Sequence, residues 1–145
     1  MADEQPQQKV DLSLLGQEHV RVYRESNGEE GYLWNGVPIL LLMTTGRQSG
    51  ETRTSPLIFG RDGDDYLLVA SQGGAPKHPN WYHNLSANPE VEIQVKADVI
   101  KAVARTATPE EKPRLWEIMT KDWPGYDVYQ SRTTRVIPVV VISPV

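Results

Sequence analysis

A chain of 145 residues is long enough for one domain with its own core, and a net charge of −4 argues against nucleic acid as a partner. The absence of cysteine excludes a disulfide framework, a thiol nucleophile and thiolate metal sites. The longest apolar run, "VPILLLM", falls far short of the roughly 20 residues that a membrane-spanning helix needs.

The opening "MADEQPQQKVDL" is polar and carries no secretory signature, so a cytoplasmic setting is expected. Residues 1–10 read as a disordered tail, and residues 11–145 as one domain. "DLSLLGQEHVRVYRESNG" places Leu12, Leu15, His19, Val22 and Tyr23 near helical spacing, with Asp11 as cap and Gly28 as stop. Its apolar face either packs on the body or rests on a membrane surface. The weak basic face favours packing, and a peripheral membrane contact is the alternative.

"VPILLLMTT" has the length of a strand and no polar face, which predicts a strand covered on both sides. "TSPLIFGRDGDDYLLVAS" reads as two strands around an Asp-Gly hairpin turn. "NPEVEIQVKADVIKAVARTAT" gives a second pair around "KAD". "RVIPVVVISPV" is a last strand, whose Pro138 suggests an edge or a bulge. Short helices are predicted at Asn80–Ala87, after the Thr108–Glu111 capping box, and in "GYDVYQSR". About six antiparallel strands with peripheral helices suggest a small barrel or half-barrel. The strand pairs do not alternate with helices as in a parallel α/β sheet.

Three stretches carry chemistry. "TTGRQSGETRTSP" sets Arg47 and Arg53 on a Gly/Ser/Thr loop beside the greasiest strand, where loop amides and bidentate guanidiniums suit an anion. In isolation an inert hairpin with two solvated arginines explains it as well. Charge distribution leans the other way: from 66 to 89 the only formal charge is Lys77. "ASQGGAPKHPNWYHN" joins a strand end, a glycine pair and flat side chains, which suits a planar ligand close to the backbone. A long loop with a core tryptophan is the plainer alternative. "DWPGYDVYQ" repeats Trp123, Tyr126 and Tyr129 on one side of a helical turn, either as packing or as phenols that donate hydrogen bonds. His19, His78 and His83 make no metal-spaced cluster, so no metal site is expected.

Taken in order, "LLMTTGRQSGETRTSPLIF", "GRDGDDYLLVASQGGAPKHPNWYHNLSANPEVEIQV", "ATPEEKPRLW" and "YDVYQSRTTRVIPVVV" resemble the deazaflavin-dependent nitroreductase family of actinobacteria, over roughly residues 37–142. The resemblance implies an α+β, mainly β fold, the split β-barrel shared with FMN-binding oxidases. It implies coenzyme F420, an 8-hydroxy-5-deazaflavin with an anionic tail. It matches Arg47, Gln48 and Ser49, then Arg53, Thr54, Ser55 and Pro56, to tail-binding segments. Val69, Ala70, Ser71 and Gln72 match the strand end beside the ring, and Asn80, Trp81, Tyr82, His83 and Asn84 complete the pocket, with Lys77 as a remaining cation. Tyr126 matches a tyrosine that binds and protonates substrate, Tyr129 a pocket-lining tyrosine, and Ser71 a serine near the substrate. Gln48 and Gln72 stand where well-known members carry lysines, and Ile58 and Trp123 where they carry tyrosines.

The expected activity is hydride transfer from reduced deazaflavin to a small electron-poor acceptor: a quinone, an enone or a nitroaromatic. The competing expectations are a carrier that binds F420 without efficient turnover, and an FMN enzyme on the same fold. A monomer or weak homo-oligomer is expected.

Overall fold

The computed structural model describes residues 16–145. The expected tail, together with Asp11, Leu12 and Leu15, lies outside the described residues.

Helix α1 (Gln17–Ser26) is followed by β1 (Leu33–Trp34), β2 (Val37–Thr45), β3 (Thr52–Ile58), β4 (Gly60–Asp62) and β5 (Asp65–Val69). A 3₁₀ turn at Gln72–Gly74 leads to α2 (Asn80–Ala87), β6 (Glu90–Val95) and β7 (Asp98–Thr106). The chain ends through α3 (Lys112–Asp122), α4 (Gly125–Ser131) and β8 (Val139–Pro144). The strands form one antiparallel sheet in the order β1-β2-β6-β7-β8-β5-β4, with β3 also paired to β2. This curled half-barrel is a split β-barrel with helices at its periphery.

The run "VPILLLM" is buried on both faces, as its composition predicts. Leu40 and Leu42 point into the barrel with Leu68, Ile93, Val140 and Ile142. Ile39 and Leu41 point the other way, onto Val20 and Tyr23 of α1. The same alternation in β5 and β8 turns Leu67, Val69, Val139 and Val141 toward Leu115 and Met119 of α3 and Tyr126 of α4. Burying a side chain of this size contributes about 1.5–3 kcal/mol, so the double-sided packing of β2, β5 and β8 dominates the fold.

The apolar face of α1 is spent on this core. His19, Val20 and Tyr23 are buried, and the Tyr23 hydroxyl donates to the Ile39 carbonyl (2.9 Å) while accepting from the Lys96 amide (2.7 Å). The packing alternative therefore holds over the membrane one for these residues. No described helix is long and apolar enough to cross a membrane.

Two strand expectations need correction. "TSPLIFG" is not one arm of the Asp-Gly hairpin: it divides at Phe59, β3 pairs with β2 from Thr52 to Ile58, and only Gly60–Asp62 pairs with β5. Nor is β8 an edge. It lies between β5 and β7, and Pro138 sits just before it, its carbonyl accepting from the Ala70 amide at 3.0 Å. A proline there interrupts no ladder hydrogen bond.

Candidate functional site

Two clefts meet along β3. The first, about 670 Å³, is polar and basic. Its wall carries Arg24 from α1, Arg47, Gln48 and Ser49 from the β2–β3 loop, Arg53 from β3 and Asn84 from α2, with no carboxylate among its lining residues. The second, about 570 Å³, is aromatic. Trp34, Ile58, Val69, Ser71, Gln72, Trp123, Tyr126 and Tyr129 face it. Gln17, Thr54, Ser55, Asn80 and Trp81 line both, so the clefts are continuous.

The loop between β2 and β3 is tied by the Gly46 amide on the Glu51 carbonyl (2.7 Å) and by the Gly50 amide on the Gly46 carbonyl (2.9 Å). That turn presents Arg47 to α2, where the buried side chain of Asn84 accepts from its guanidinium (2.9 Å) and from its backbone amide (3.2 Å). Arg47 is thus held in place before any ligand arrives. Arg24 crosses from α1 to donate to the Thr54 hydroxyl at 2.9 Å. Arg53 is looser, with Glu51 3.8 Å away. Three guanidiniums therefore surround one groove on an acidic protein. Such a groove attracts an extended anion.

Around the aromatic cleft, α4 projects Tyr126 and Tyr129 from one side, as their spacing predicts. Their rings meet edge to face at 6.0 Å, Trp123 donates to the Tyr129 hydroxyl at 3.3 Å, and Trp34 lies against Trp123. Tyr126 is only 4% exposed. Burial first, and Tyr129 beside it second, push its phenol well above the ordinary range, so its proton stays on at neutral pH. Its hydroxyl meets no protein partner among the described residues. A hydroxyl with no protein partner, on a buried residue that lines a cleft, is a group set up to donate to a ligand.

The remaining expected residues divide. Pro56, like Thr54, Ser55, Ser71, Gln72, Asn80 and Trp81, lines the aromatic cleft. Ala70 is fully buried behind it. Lys77, Tyr82 and His83, expected at the cofactor, line neither cleft: Lys77 and His83 are exposed, and the Tyr82 hydroxyl bonds the Thr106 hydroxyl at 2.8 Å. Gln17, Arg24 and Trp34, which line the clefts, were not legible as site residues, nor was Arg135 as a partner of the 70–75 segment. Arg24 stands on a helix whose visible signal is its apolar face, and Arg135 reaches its partners across some 60 residues of sequence.

The model of the F420H(2)-dependent quinone reductase family matches residues 15–144. The chain belongs to this family. The F420H(2)-dependent quinone reductase Rv1261c of Mycobacterium tuberculosis (strain H37Rv) is 46% identical over 129 residues, 86% of this chain and 87% of that one. The solved F420-H2 dependent reductase FDR-A is 41% identical with a TM-score of 0.68, covering 73% of this chain and 94% of its own. A chain solved as a domain-swapped dimer is 37% identical with a TM-score of 0.71, covering 88% and 96%. Membership makes this protein an F420-dependent oxidoreductase on a split-barrel fold.

The residues present fit that cofactor. The basic groove matches a polyanionic tail, and the aromatic cleft that continues from it matches a flat ring. The unbonded Tyr126 hydroxyl stands in the wall beyond.

Proposed function

We propose that the protein reduces a quinone-type acceptor, with the tail of F420 along Arg24, Arg47 and Arg53 and its ring entering the aromatic cleft past Asn80 and Trp81, so that the Ser71 and Gln72 side of that cleft receives the acceptor. The observation that carries this reading is the continuity of the two clefts through Thr54, Ser55, Asn80 and Trp81. When bound, the reduced deazaflavin supplies a hydride to the acceptor.

The chain's own residues do the rest. Arg47, fixed by Asn84, binds the tail without first having to be ordered. Trp34, Trp123 and Tyr129 present apolar faces that exclude water and hold a flat acceptor. Tyr126 keeps its proton at Oη and donates it to the acceptor oxygen on which charge develops. Hydride addition converts the quinone to its hydroquinone monoanion, and one proton, given by Tyr126 (which solvent then reprotonates) or by water directly, converts that to the neutral hydroquinone.

Ile58 and Trp123 make the acceptor side more apolar than two tyrosines would, which suits a quinone over a polar nitro compound. The fold likeness to a domain-swapped dimer favours self-association, and we take a homodimer as the working state.

The test is direct. Purified protein mixed with reduced F420 and menadione should oxidise the cofactor well above the rate without protein. Absence of acceptor-dependent oxidation across quinones, enones and nitroaromatics overturns the reading.

A further inference from the structure

Arg135 has no acidic partner among the described residues, yet it makes four hydrogen bonds. Its guanidinium donates to the carbonyls of Ala70 (3.2 Å), Ser71 (2.7 Å) and Ala75 (2.8 Å), and meets His78 Nδ1 at 2.9 Å. Arg132 adds a longer contact to the Gly73 carbonyl at 3.4 Å. All the bonded carbonyls belong to the segment 70–75, whose Ser71, Gln72 and Gly73 line the aromatic cleft.

The chain has no cis peptide among the described residues. In a trans peptide the carbonyl and the following N–H point in opposite directions. With the Ala70 and Ser71 carbonyls turned onto Arg135, the N–H groups of Ser71 and Gln72 are turned away from it, toward the cleft that these residues line. Among the described residues neither amide meets a protein acceptor; the turn's internal bonds start from the Gly74 and Ala75 amides instead. Ser71 is right-handed (φ −85°, ψ −38°), and Gln72 and Gly73 follow at φ 45° and 65°. A right-handed residue followed by left-handed ones makes successive N–H groups converge into a concavity for an anion. A second, independent group lines the same space: Tyr126, a residue 4% exposed whose hydroxyl meets no protein partner among the described residues.

We propose that the Ser71 and Gln72 amides, aimed and made more positive by Arg135, form an oxyanion pocket for an enolate- or phenolate-type oxygen on a planar ring in the aromatic cleft. Arg135 is a positioning residue: it stands behind the peptides and does not touch the ligand. Its unpaired charge reaches the cleft through two peptide dipoles, whose donor ends strengthen as their acceptor ends are bound. The pocket favours the reduced, oxygen-charged product side over the neutral quinone, which is the asymmetry that accelerates a reaction. This rests on the reading of the aromatic cleft as the acceptor site.

The experiment uses cofactor-free protein and two probes of similar shape. One is 2-hydroxy-1,4-naphthoquinone, an anion at neutral pH, and the other is the neutral 2-methyl-1,4-naphthoquinone. Calorimetry gives both affinities for wild type, Arg135→Gln, Arg135→Lys, Ser71→Pro and Ser71→Ala. Wild type should bind the anion more tightly, and Arg135→Gln should lower that preference by about tenfold or more. Arg135→Lys should restore part of it. Ser71→Pro removes the N–H at a φ that proline accepts, and should reduce the preference, whereas Ser71→Ala, which keeps the N–H, should not. The inference is overturned if wild type binds both probes equally, or if the preference survives both Arg135→Gln and Ser71→Pro. The same holds if the two affinities fall together in the variants. The Ser71 pair decides the question should Arg135→Gln not fold. Failure of either naphthoquinone to bind wild type counts instead against the acceptor cleft itself.

Discussion

Tyr126 joins burial, a raised phenol pKa and a hydroxyl free to serve a ligand. Its removal should therefore separate chemistry from folding. Tyr126→Phe should lower turnover on the order of a hundredfold in steady-state assays of F420-dependent quinone reduction. It should leave the thermal midpoint near neutral pH almost unchanged, since no protein hydrogen bond is lost. The pH dependence carries a sign. A phenol whose folded pKa is raised contributes stability that is whole below the unfolded value of about 10 and is lost as pH rises beyond it. Wild type should lose thermal stability faster than Tyr126→Phe between about pH 10 and about pH 11.5, as scanning calorimetry would show. Spacing and local composition single out Tyr126 and Arg47 but leave packing and an inert hairpin open as alternatives; the family resemblance supplies their roles. Arg24 and Arg135 were not legible there, because what makes each matter is a partner distant in sequence: Thr54 for one, the carbonyls of Ala70, Ser71 and Ala75 for the other.

At the scale of elements, the loop between β5 and α2 is fitted to α4 at Gly74. Its φ is +85°, and a Cβ there would lie 2.6 Å from the Tyr129 carbonyl oxygen. Gly73, at φ +65°, faces open space. Gly73→Ala should cost about 1 kcal/mol, the backbone strain alone. Gly74→Ala should cost more, roughly 2–4 kcal/mol, because the backbone of α4 must move; urea denaturation would rank the two. Ahead of α3, the reciprocal bonds of the expected capping box form: the Thr108 amide donates to the Glu111 carboxylate (2.8 Å) and the Glu111 amide to the Thr108 hydroxyl (3.3 Å). They close a turn, however, and the helix itself begins later, at Lys112 with Glu111 at its N-cap. Arg105 first, then Thr108, hold the Glu111 carboxyl down at about 2. A depressed carboxyl contributes stability above its unfolded value of 4.5, and that contribution fades as pH falls toward 2. Glu111→Gln should accordingly flatten the acid limb of a stability-against-pH curve in that window. Periodicity located these elements well, as with α2 at Asn80–Ala87. It failed where pairing decides. β4 is three residues long, too short to show a pattern, and β8 is central because both its faces are apolar, a fact that Pro138 masked.

For the whole molecule, the decisive property is a basic groove on a chain of net charge −4. The acidic exterior does not cancel the groove, since Arg24, Arg47 and Arg53 line it and no carboxylate does. An anionic tail bound there must feel ionic strength. The screening length shrinks from about 30 Å at 0.01 M to about 3 Å at 1 M salt, so F420 affinity should fall steeply across that range. The three arginines should not contribute alike. Arg47 is held by Asn84 and loses little freedom on binding, whereas Arg53 must be ordered by the ligand. Arg47→Gln should therefore weaken F420 binding more than Arg53→Gln, by about tenfold against a few fold. Asn84→Ala should reproduce part of the Arg47 effect without removing a charge, and so should leave the salt slope intact. Arg24→Gln should lower the slope, since it removes a cation that reaches the groove from a different element. Fluorescence titrations of oxidised F420 at several salt concentrations measure both affinity and slope. An unchanged slope in Arg24→Gln would place the tail away from α1, and an unchanged affinity in Arg47→Gln would remove the groove from cofactor binding altogether.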